Sequence, residues 1–140
     1  MGRIMGIDYG DARSGLAFSD VTGFLAGEAV TLHERDMERA VEAIAAAAEE
    51  RQVCEIVLGY PKNMNASIGP RAENSAALAE RLRARTGLPV TLWDERQTTV
   101  AAHQILSQTG TRGKKRKNTV DAVAATLILQ GYLDFKQTQG

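Results

Sequence analysis

Short apolar runs separated by glycine-containing turns open the chain. Three segments have the length and apolar content of β-strands: Arg3 to Asp8, Ser14 to Ser19 and Ala26 to Leu32. Glycine in the turns between them favours reversal of the chain direction. The pattern therefore predicts an antiparallel meander of three strands at the start of the protein.

After Leu32 the apolar spacing alternates between that of helices and that of strands. Asp36 is predicted to cap a helix in which apolar residues recur at helical spacing from Met37 to Ala48. Gly87 is predicted to end the second helix. The remaining predicted elements are strands over 54–58 and 88–93 and helices over 71–86, 98–108 and 118–135.

The predicted order of elements is βββαβαβαα. Strands that alternate with helices pair in parallel through crossover connections. A meander followed by such crossovers predicts an α/β fold, with a mixed five-stranded sheet and helices on both faces. The length of 140 residues fits a single domain over residues 1–140, and we expect residues 136–140 to be a frayed tail.

The amino-acid composition limits the classes of protein to which the chain can belong. The chain is 44% hydrophobic and 24% charged, as in an ordinary folded protein. No apolar stretch approaches the ~20 residues of a membrane helix, and no secretory run opens the sequence, so we expect a cytoplasmic protein without a membrane partner. The single cysteine, Cys54, excludes an internal disulfide and is predicted to be a small core residue.

The net charge is zero, from 17 basic and 17 acidic residues, but the charges are unevenly distributed. Eight carboxylates and three arginines lie between Glu28 and Glu55, whereas five of the six residues from Arg112 to Lys117 are basic. We predict a loop over residues 109–117. Such a run is usually a solvated surface, and its functional interpretation is salt-dependent attraction to nucleic acid.

Acids on three predicted elements occupy positions where a site can form. Asp8 ends the first predicted strand, Asp94 and Glu95 end the fifth, and Asp121 lies in the first predicted turn of the last helix. In open α/β sheets, sites form beyond the carboxyl ends of the strands. If the first and fifth strands are parallel neighbours, their acids meet at one edge. Carboxylates bind hard divalent cations, and two such metals, about 3.5–4 Å apart, catalyse phosphodiester displacement.

Each acid also has an ordinary structural interpretation. Asp8 begins a turn sequence with Gly10, and Glu95 beside Arg96 suits a surface ion pair. Asp121, three residues after a potential cap at Asn118, suits a helix N-terminus. The functional interpretation depends on the three acids converging.

Four motifs, in order, resemble those of the YqgF/RuvX family and span nearly the whole chain. They are Gly6-Ile7-Asp8-Tyr9-Gly10 followed by Arg13 and Gly15, Gly59-Tyr60-Pro61-Lys62-Asn63-Met64, Asp94-Glu95-Arg96-Gln97-Thr98-Thr99, and Val120-Asp121-Ala122-Val123-Ala124-Ala125. Two departures accompany them. Asn65-Ala66 stands where the family usually has Asp-Gly, and the fourth acid of related resolvases is absent one turn to either side of Asp121.

The resemblance implies an RNase H-like fold and a bacterial, cytoplasmic nuclease that processes the 5′ end of precursor 16S rRNA. By motif match, the catalytic carboxylates and the ligands of Mg²⁺ or Mn²⁺ would be Asp8, Glu95 and Asp121. Hydrolysis would leave a 3′-hydroxyl and a 5′-phosphate. The candidate nucleic-acid-binding residues are Arg13, Lys62, Asn63, Arg96, Arg112, Lys114, Lys115, Arg116 and Lys117.

RNA is the favoured partner, with structured DNA and a ribosomal precursor particle as further candidates, and we expect a monomer or weak homodimer. Three alternatives stay open: a Holliday-junction resolvase acting on DNA, a nucleic-acid-binding ribosome or transcription factor without turnover, and a sugar-kinase or actin-like ATPase. The ATPase class shares the pattern Asp8-x-Gly10 but closes two such domains around ATP, and 140 residues supply only one.

Overall fold

The computed structural model describes residues 2–10, 12–23, 25–60, 70–94 and 113–139. These ranges contain the following strands and helices: β1 (Arg3–Asp8), β2 (Arg13–Ser19), β3 (Ala26–His33), α1 (Met37–Glu50), β4 (Val53–Tyr60), α2 (Pro70–Thr86), β5 (Val90–Asp94) and α3 (Gly113–Gln139). The helix predicted over 98–108 lies outside the described residues.

The strands form one mixed sheet in the order β3-β2-β1-β4-β5. β2 is antiparallel to both β1 and β3, whereas β4 is parallel to both β1 and β5. The predicted five-stranded mixed sheet is confirmed. β1 and β5 are not direct neighbours, because β4 lies between them. Both run parallel to β4, however, so their carboxyl ends still reach the same edge of the sheet.

Alternation along the strands divides the interior into two cores. On β1, Met5 and Ile7 pack on one face together with α1 and α2, and Ile4 packs on the opposite face with α3. Because successive strand residues point to opposite faces, one strand contributes to both cores. Helices therefore cover both faces of the sheet, as predicted.

Local sequence signals determine where α1 begins and where α2 ends. The carboxylate of Asp36 accepts a hydrogen bond from the backbone N–H of Arg39 at 2.9 Å, which confirms the predicted N-cap. Ala40 and Ile44 are among the residues that α1 buries. Gly87 follows α2 with a φ of +72°, a conformation that favours glycine.

Cys54 is exposed, so its predicted place in the core is wrong. The register between β1 and β4 shifts at this point, because Arg3 pairs with Val53 but Ile4 pairs with Glu55. Cys54 is the extra residue of this irregularity. A β-bulge leaves its extra residue out of the regular alternation, and nothing in the local apolar pattern indicates it.

The basic segment is helical from Gly113 onwards, so the loop predicted over 109–117 is wrong for its last five residues. Lysine and arginine are good helix formers, and the basic run continues directly into the apolar helix. α3 also extends through Gln139, past Lys136, where the sequence predicts a frayed tail. Neither α3 nor any other described helix is long and apolar enough to cross a membrane.

Candidate active site

Asp8 is the last residue of β1, at the carboxyl edge of the sheet, and is half-buried. It shares a face of β1 with Ile4 and Gly6, since strand residues two apart lie on the same side. Ile4 packs against α3, so this is the face that α3 covers. The neighbouring position on β2 is Gly15, which adds no side chain beside Asp8.

α3 contacts β1 most closely at Gly6. A Cβ atom on Gly6 would lie 2.7 Å from the Cβ of Leu129 and 3.0 Å from the carbonyl oxygen of Ala125. Neither distance leaves room for a side chain. The glycine of the first motif therefore allows the helix to pack directly on the strand that ends in Asp8.

The contacts along α3 give its direction relative to β1. Leu129 lies at Gly6, in the middle of β1, whereas Leu133 lines a cavity together with residues at the beginning of the strand. α3 therefore runs opposite to β1. Position 121 precedes Leu129 on the helix, so Asp121 lies on the Asp8 side of this contact.

Asp121 is not in the first turn of its helix. α3 begins at Gly113, so Asn118 lies inside the helix instead of capping it, and the first turn of α3 contains no acidic residue. The stabilising effect of a helix N-terminus on a carboxylate falls off within the first turn. The ordinary structural explanation for Asp121 therefore does not apply.

A tight turn after β1 brings Arg13 to the same edge. A Cβ atom on Gly10 would lie 2.5 Å from the carbonyl oxygen of Arg13, so this position requires glycine. The backbone N–H of Gly10 donates a hydrogen bond to the Oγ of Ser14, a buried side chain, at 3.3 Å. Arg13 then starts β2 as a half-buried residue.

β5 brings the third motif to this edge. Asp94 pairs with Tyr60, so β4 and β5 end together. The preceding residue, Trp93, packs against α3, with its ring centroid 5.8 Å from that of Tyr132 in an edge-on arrangement. Glu95 is the next residue in the sequence and lies outside the described residues.

The structure describes the side chains of only two predicted site residues, Asp8 and Arg13. Asp121 and Lys114, Lys115, Arg116 and Lys117 are placed by the backbone of α3. Among the described residues, no group of three His, Cys, Asp or Glu side chains could hold a metal ion. Of the three predicted ligands, Asp8 is the one whose side chain the structure describes. Outside the described ranges lie Lys62, Asn63, Glu95, Arg96 and Arg112.

An open groove of about 790 Å³ at this edge was not predicted. It lies where β2 begins, β3 ends and α1 starts, and its lining includes Arg13, His33, Arg35 and Arg39. The sequence contains one signal for it, because Arg35 and Arg39 stand four residues apart at a helix start. The surrounding acidic stretch conceals that signal.

The sheet order and the helices on both faces define an α/β fold of the RNase H-like class. The structure is similar to "T. thermophilus RuvC in complex with Holliday junction substrate", with a TM-score of 0.66 and 11% sequence identity. The similarity covers 100% of this chain and 98% of that chain. At this identity the likeness shows a shared fold.

The sequence places the chain within a particular family. The family model "RuvX: Holliday junction resolvase" matches residues 2–135. A Clostridioides difficile protein is 44% identical over 135 residues, covering 96% of each chain, and a Listeria monocytogenes protein is 46% identical over 134 residues, covering 94% of this chain and 97% of that one. Both are named "Putative pre-16S rRNA nuclease". The chain belongs to the RuvX family, which confirms the resemblance of the four motifs.

Proposed function

We propose that this protein is a metal-dependent nuclease that hydrolyses phosphodiester bonds at the 5′ end of precursor 16S rRNA. The observation that carries the proposal is the close contact of Gly6 with α3. This contact holds α3 on β1, and the opposite direction of the two elements supports a position of Asp121 on the Asp8 side, at the edge where β5 also ends. The names of the relatives supply the class of substrate. A nuclease of this kind works in the cytoplasm, on RNA or on a ribosomal precursor particle.

The proposed ligands fit a hard divalent cation. Asp8, Glu95 and Asp121 offer only carboxylate oxygens, which suit Mg²⁺ and Mn²⁺. Asp8 ends a strand and Asp121 lies inside a helix, so rigid elements hold these two positions. When bound there, one or two such ions would supply Lewis-acid stabilisation of the charge that develops on the phosphodiester oxygens.

The residues of the chain would serve two functions, metal binding and binding of the nucleic-acid backbone. Asp8 would anchor the metal, and Glu95 and Asp121 would complete its set of carboxylate ligands. Water is the nucleophile, and the products carry a 3′-hydroxyl and a 5′-phosphate. The basic residues attract and position the backbone without reading its sequence: Arg13, Lys62, Arg96, Arg112, Lys114, Lys115, Arg116 and Lys117. Asn63 adds a neutral amide that can donate a hydrogen bond to the same backbone. The run from Lys114 precedes Asp121 on the same helix, so backbone contact and ligand are rigidly linked.

Cleavage of end-labelled substrates by the purified protein tests this proposal. The substrates are a precursor 16S 5′-leader RNA, a single-stranded DNA and a four-way DNA junction, each with Mg²⁺, with Mn²⁺ and with a chelator. We expect RNA cleavage only with metal, and a loss of roughly 100-fold or more in Asp8→Asn, since even outer-shell partners of a metal are worth 10–100-fold. Intact cleavage by Asp8→Asn would contradict the proposal.

Asp134→Asn is the matched control for this experiment. Asp134 is an exposed carboxylate of α3 whose Oδ1 accepts a hydrogen bond from the Nε2 of Gln130, at 3.0 Å. Its replacement removes one carboxylate charge, as Asp8→Asn does, but from α3 and at a distance from the carboxyl edge of the sheet. We expect cleavage at the wild-type rate.

A junction-specific DNA endonuclease is the second candidate, because the fold is shared with RuvC. Symmetric cutting of the four-way junction, with the RNA untouched, would favour it. Binding without cleavage, unchanged in Asp8→Asn, would favour a factor without turnover. Thermal stabilisation by ATP and Mg²⁺ beyond that of the metal alone would favour an ATPase.

A further inference from the structure

We propose that Arg13, Arg35 and Arg39 form a subsite for backbone phosphates of the substrate strand, on the β2–β3 side of the candidate active site. This inference rests on the proposed nuclease function and extends the substrate path beyond the acids and the basic run of α3. The three arginines line the open groove of about 790 Å³ described above. Two of them, Arg35 and Arg39, lie outside the four family motifs.

The strand register places the groove beside Asp8. Asp8 pairs with Gly15, and Gly15 pairs with Thr31. Arg13 and His33 form the pair two residues further towards the edge. Because β3 is two strand spacings from β1, the groove lies about 10 Å to the side of Asp8. A strand bound at Asp8 can therefore continue along the same edge into the groove.

The guanidinium groups of Arg35 and Arg39 are available to a ligand. Both residues are exposed, and neither side chain forms a salt bridge with a carboxylate among the residues that the structure describes. Arginine presents a planar set of donors that matches a phosphate group. By contrast, each of four other arginines has a glutamate partner within 4.0 Å: Arg51, Arg81, Arg83 and Arg85.

Two carboxylates also line the groove, but backbone N–H groups hold them. Glu34 Oε1 accepts hydrogen bonds from the backbone N–H groups of Arg35 and Asp36, at 3.1 and 3.2 Å. Asp36 Oδ2 accepts one from the N–H of Arg39, at 2.9 Å. These bonds fix the backbone that carries both arginines.

The composition of the lining favours phosphate over base recognition. No phenylalanine, tyrosine or tryptophan is among the described residues that line the groove. Stacking on aromatic side chains is the usual means of holding bases in single strands, whereas arginine contacts to phosphate are independent of sequence. We therefore expect the groove to strengthen binding of any RNA sequence long enough to reach it.

The test compares the double variant Arg35→Gln/Arg39→Gln with Arg81→Gln/Arg85→Gln, which removes the same charge from α2. Binding of the 5′-leader RNA is measured in a chelator, without cleavage, over a range of salt. Each phosphate contact to a single strand contributes about 0.7 to the slope of log K against log salt. We expect the first variant to lose about 0.7–1.4 of slope and to bind about tenfold more weakly. The second variant should keep the wild-type slope and affinity.

Substrate length and charge rescue sharpen the test. RNAs shortened stepwise from either end should lose affinity for the wild type at the length that no longer reaches the groove. The Arg35→Gln/Arg39→Gln variant should show a much smaller step, because two of the three arginines of the subsite are already missing. Arg35→Lys/Arg39→Lys should retain most of the salt slope, since the charges remain. Circular dichroism verifies that each variant is folded.

The two proposals fail in distinguishable ways. If wild-type protein cleaves RNA in an Asp8-dependent manner, but Arg35→Gln/Arg39→Gln keeps the wild-type slope and length dependence, the subsite is wrong and the nuclease stands. If Asp8→Asn cleaves like the wild type, the proposed function is wrong. An equal loss of affinity in both double variants would show that the arginines of the groove act only through general electrostatic attraction. That result would also overturn the subsite.

Discussion

Gly6 and Leu129 approach each other so closely that a Cβ atom on Gly6 would lie 2.7 Å from the Cβ of Leu129. The glycine belongs to the strand that ends in Asp8, and the leucine belongs to the helix that contains Asp121. This contact therefore sets the position of one proposed ligand relative to another. We therefore expect this packing residue to influence the geometry of the candidate site.

Gly6→Ala should reduce both stability and activity. The added methyl group overpacks the contact, which typically costs about 1–3 kcal/mol. Trimming the Leu129 side chain cannot relieve the clash fully, because the carbonyl oxygen of Ala125 and the Cα of Leu129 would lie 3.0 and 3.2 Å away. We expect α3 to shift and metal-dependent cleavage to fall about tenfold or more at a temperature where the variant is folded. Urea unfolding and kcat/KM measure the two effects.

Two other glycine variants separate these effects. Gly87→Ala forces alanine into a φ of +72° beyond the end of α2, which costs about 1–2 kcal/mol but lies away from the sheet edge. It should lose stability and keep kcat/KM. Gly27→Ala would meet only the carbonyl oxygen of Phe18, at 3.6 Å, and should be nearly neutral. Equal kcat/KM for Gly6→Ala and Gly87→Ala would contradict a positioning role for Gly6.

The C-terminal part of α3 should make stability decline at alkaline pH. The hydroxyl of Tyr132 donates to Glu55, and Lys136 Nζ lies 2.7 Å from Glu55 Oε1. Burial, and then the bond to Glu55, raise the pKa of Tyr132 above 10.0, and the bond to Glu55 raises the pKa of Lys136 above 10.5. A pKa raised by folding adds stability below the unfolded value, and that stability is lost as pH rises through the folded pKa.

Tyr132→Phe tests this alkaline dependence. The phenyl ring keeps its edge-on contact with Trp93, while the hydroxyl bond to Glu55 is lost. We expect about 1 kcal/mol less stability at neutral pH and a shallower decline above pH 10. Urea unfolding from pH 7 to 11 gives both values. A decline as steep as that of the wild type would show that Tyr132 does not contribute to it.

Glu28 should contribute to the loss of stability at acid pH. The guanidinium group of Arg51 donates two hydrogen bonds to its carboxylate, at 3.0 and 2.9 Å. These bonds lower the pKa of Glu28 below 4.5. A pKa lowered by folding adds stability above the unfolded value, and that stability is lost as pH falls through the folded pKa. The effect is small because the pair is at the surface.

Glu28→Gln should accordingly flatten the acid decline below pH 4.5, measured by urea unfolding from pH 6 to 3. Glu38→Gln is the charge-matched control, since its ion pair with Arg81 is longer, at 3.7 Å. The stability of Glu38→Gln between pH 6 and 3 should follow that of the wild type more closely than the stability of Glu28→Gln does. The same acid profile in both variants would argue against a specific role for the Glu28 pair.

Features of the fold that depend on a single segment of the sequence were predictable from that segment. The bounds of β1 follow from an apolar run that ends at Asp8, and Asp36 and Gly87 mark helix ends through capping and a positive φ. Cys54 was not predictable in the same way, because its exposure results from a shift in pairing with β1. Pairing register is a property of two strands, so neither segment alone reveals it.

The candidate site shows the same division. The place of Asp8 at a strand end follows from the pattern of its own segment. The position of Asp121 inside α3 does not, because Asn118 imitates a helix cap while the helix begins at Gly113. The groove of Arg35 and Arg39 requires β2, β3 and α1 to meet, which is a tertiary arrangement.

Calorimetric titration of Mn²⁺ into the wild type, Asp8→Asn, Asp121→Asn and Asp134→Asn tests most directly whether Asp8 and Asp121 hold one metal site. We expect Asp8→Asn and Asp121→Asn each to weaken Mn²⁺ binding by about tenfold or more. The Asp134 variant, altered at an exposed position of α3, should bind like the wild type. Wild-type Mn²⁺ affinity in Asp8→Asn or Asp121→Asn would show that the two carboxylates do not hold one metal site.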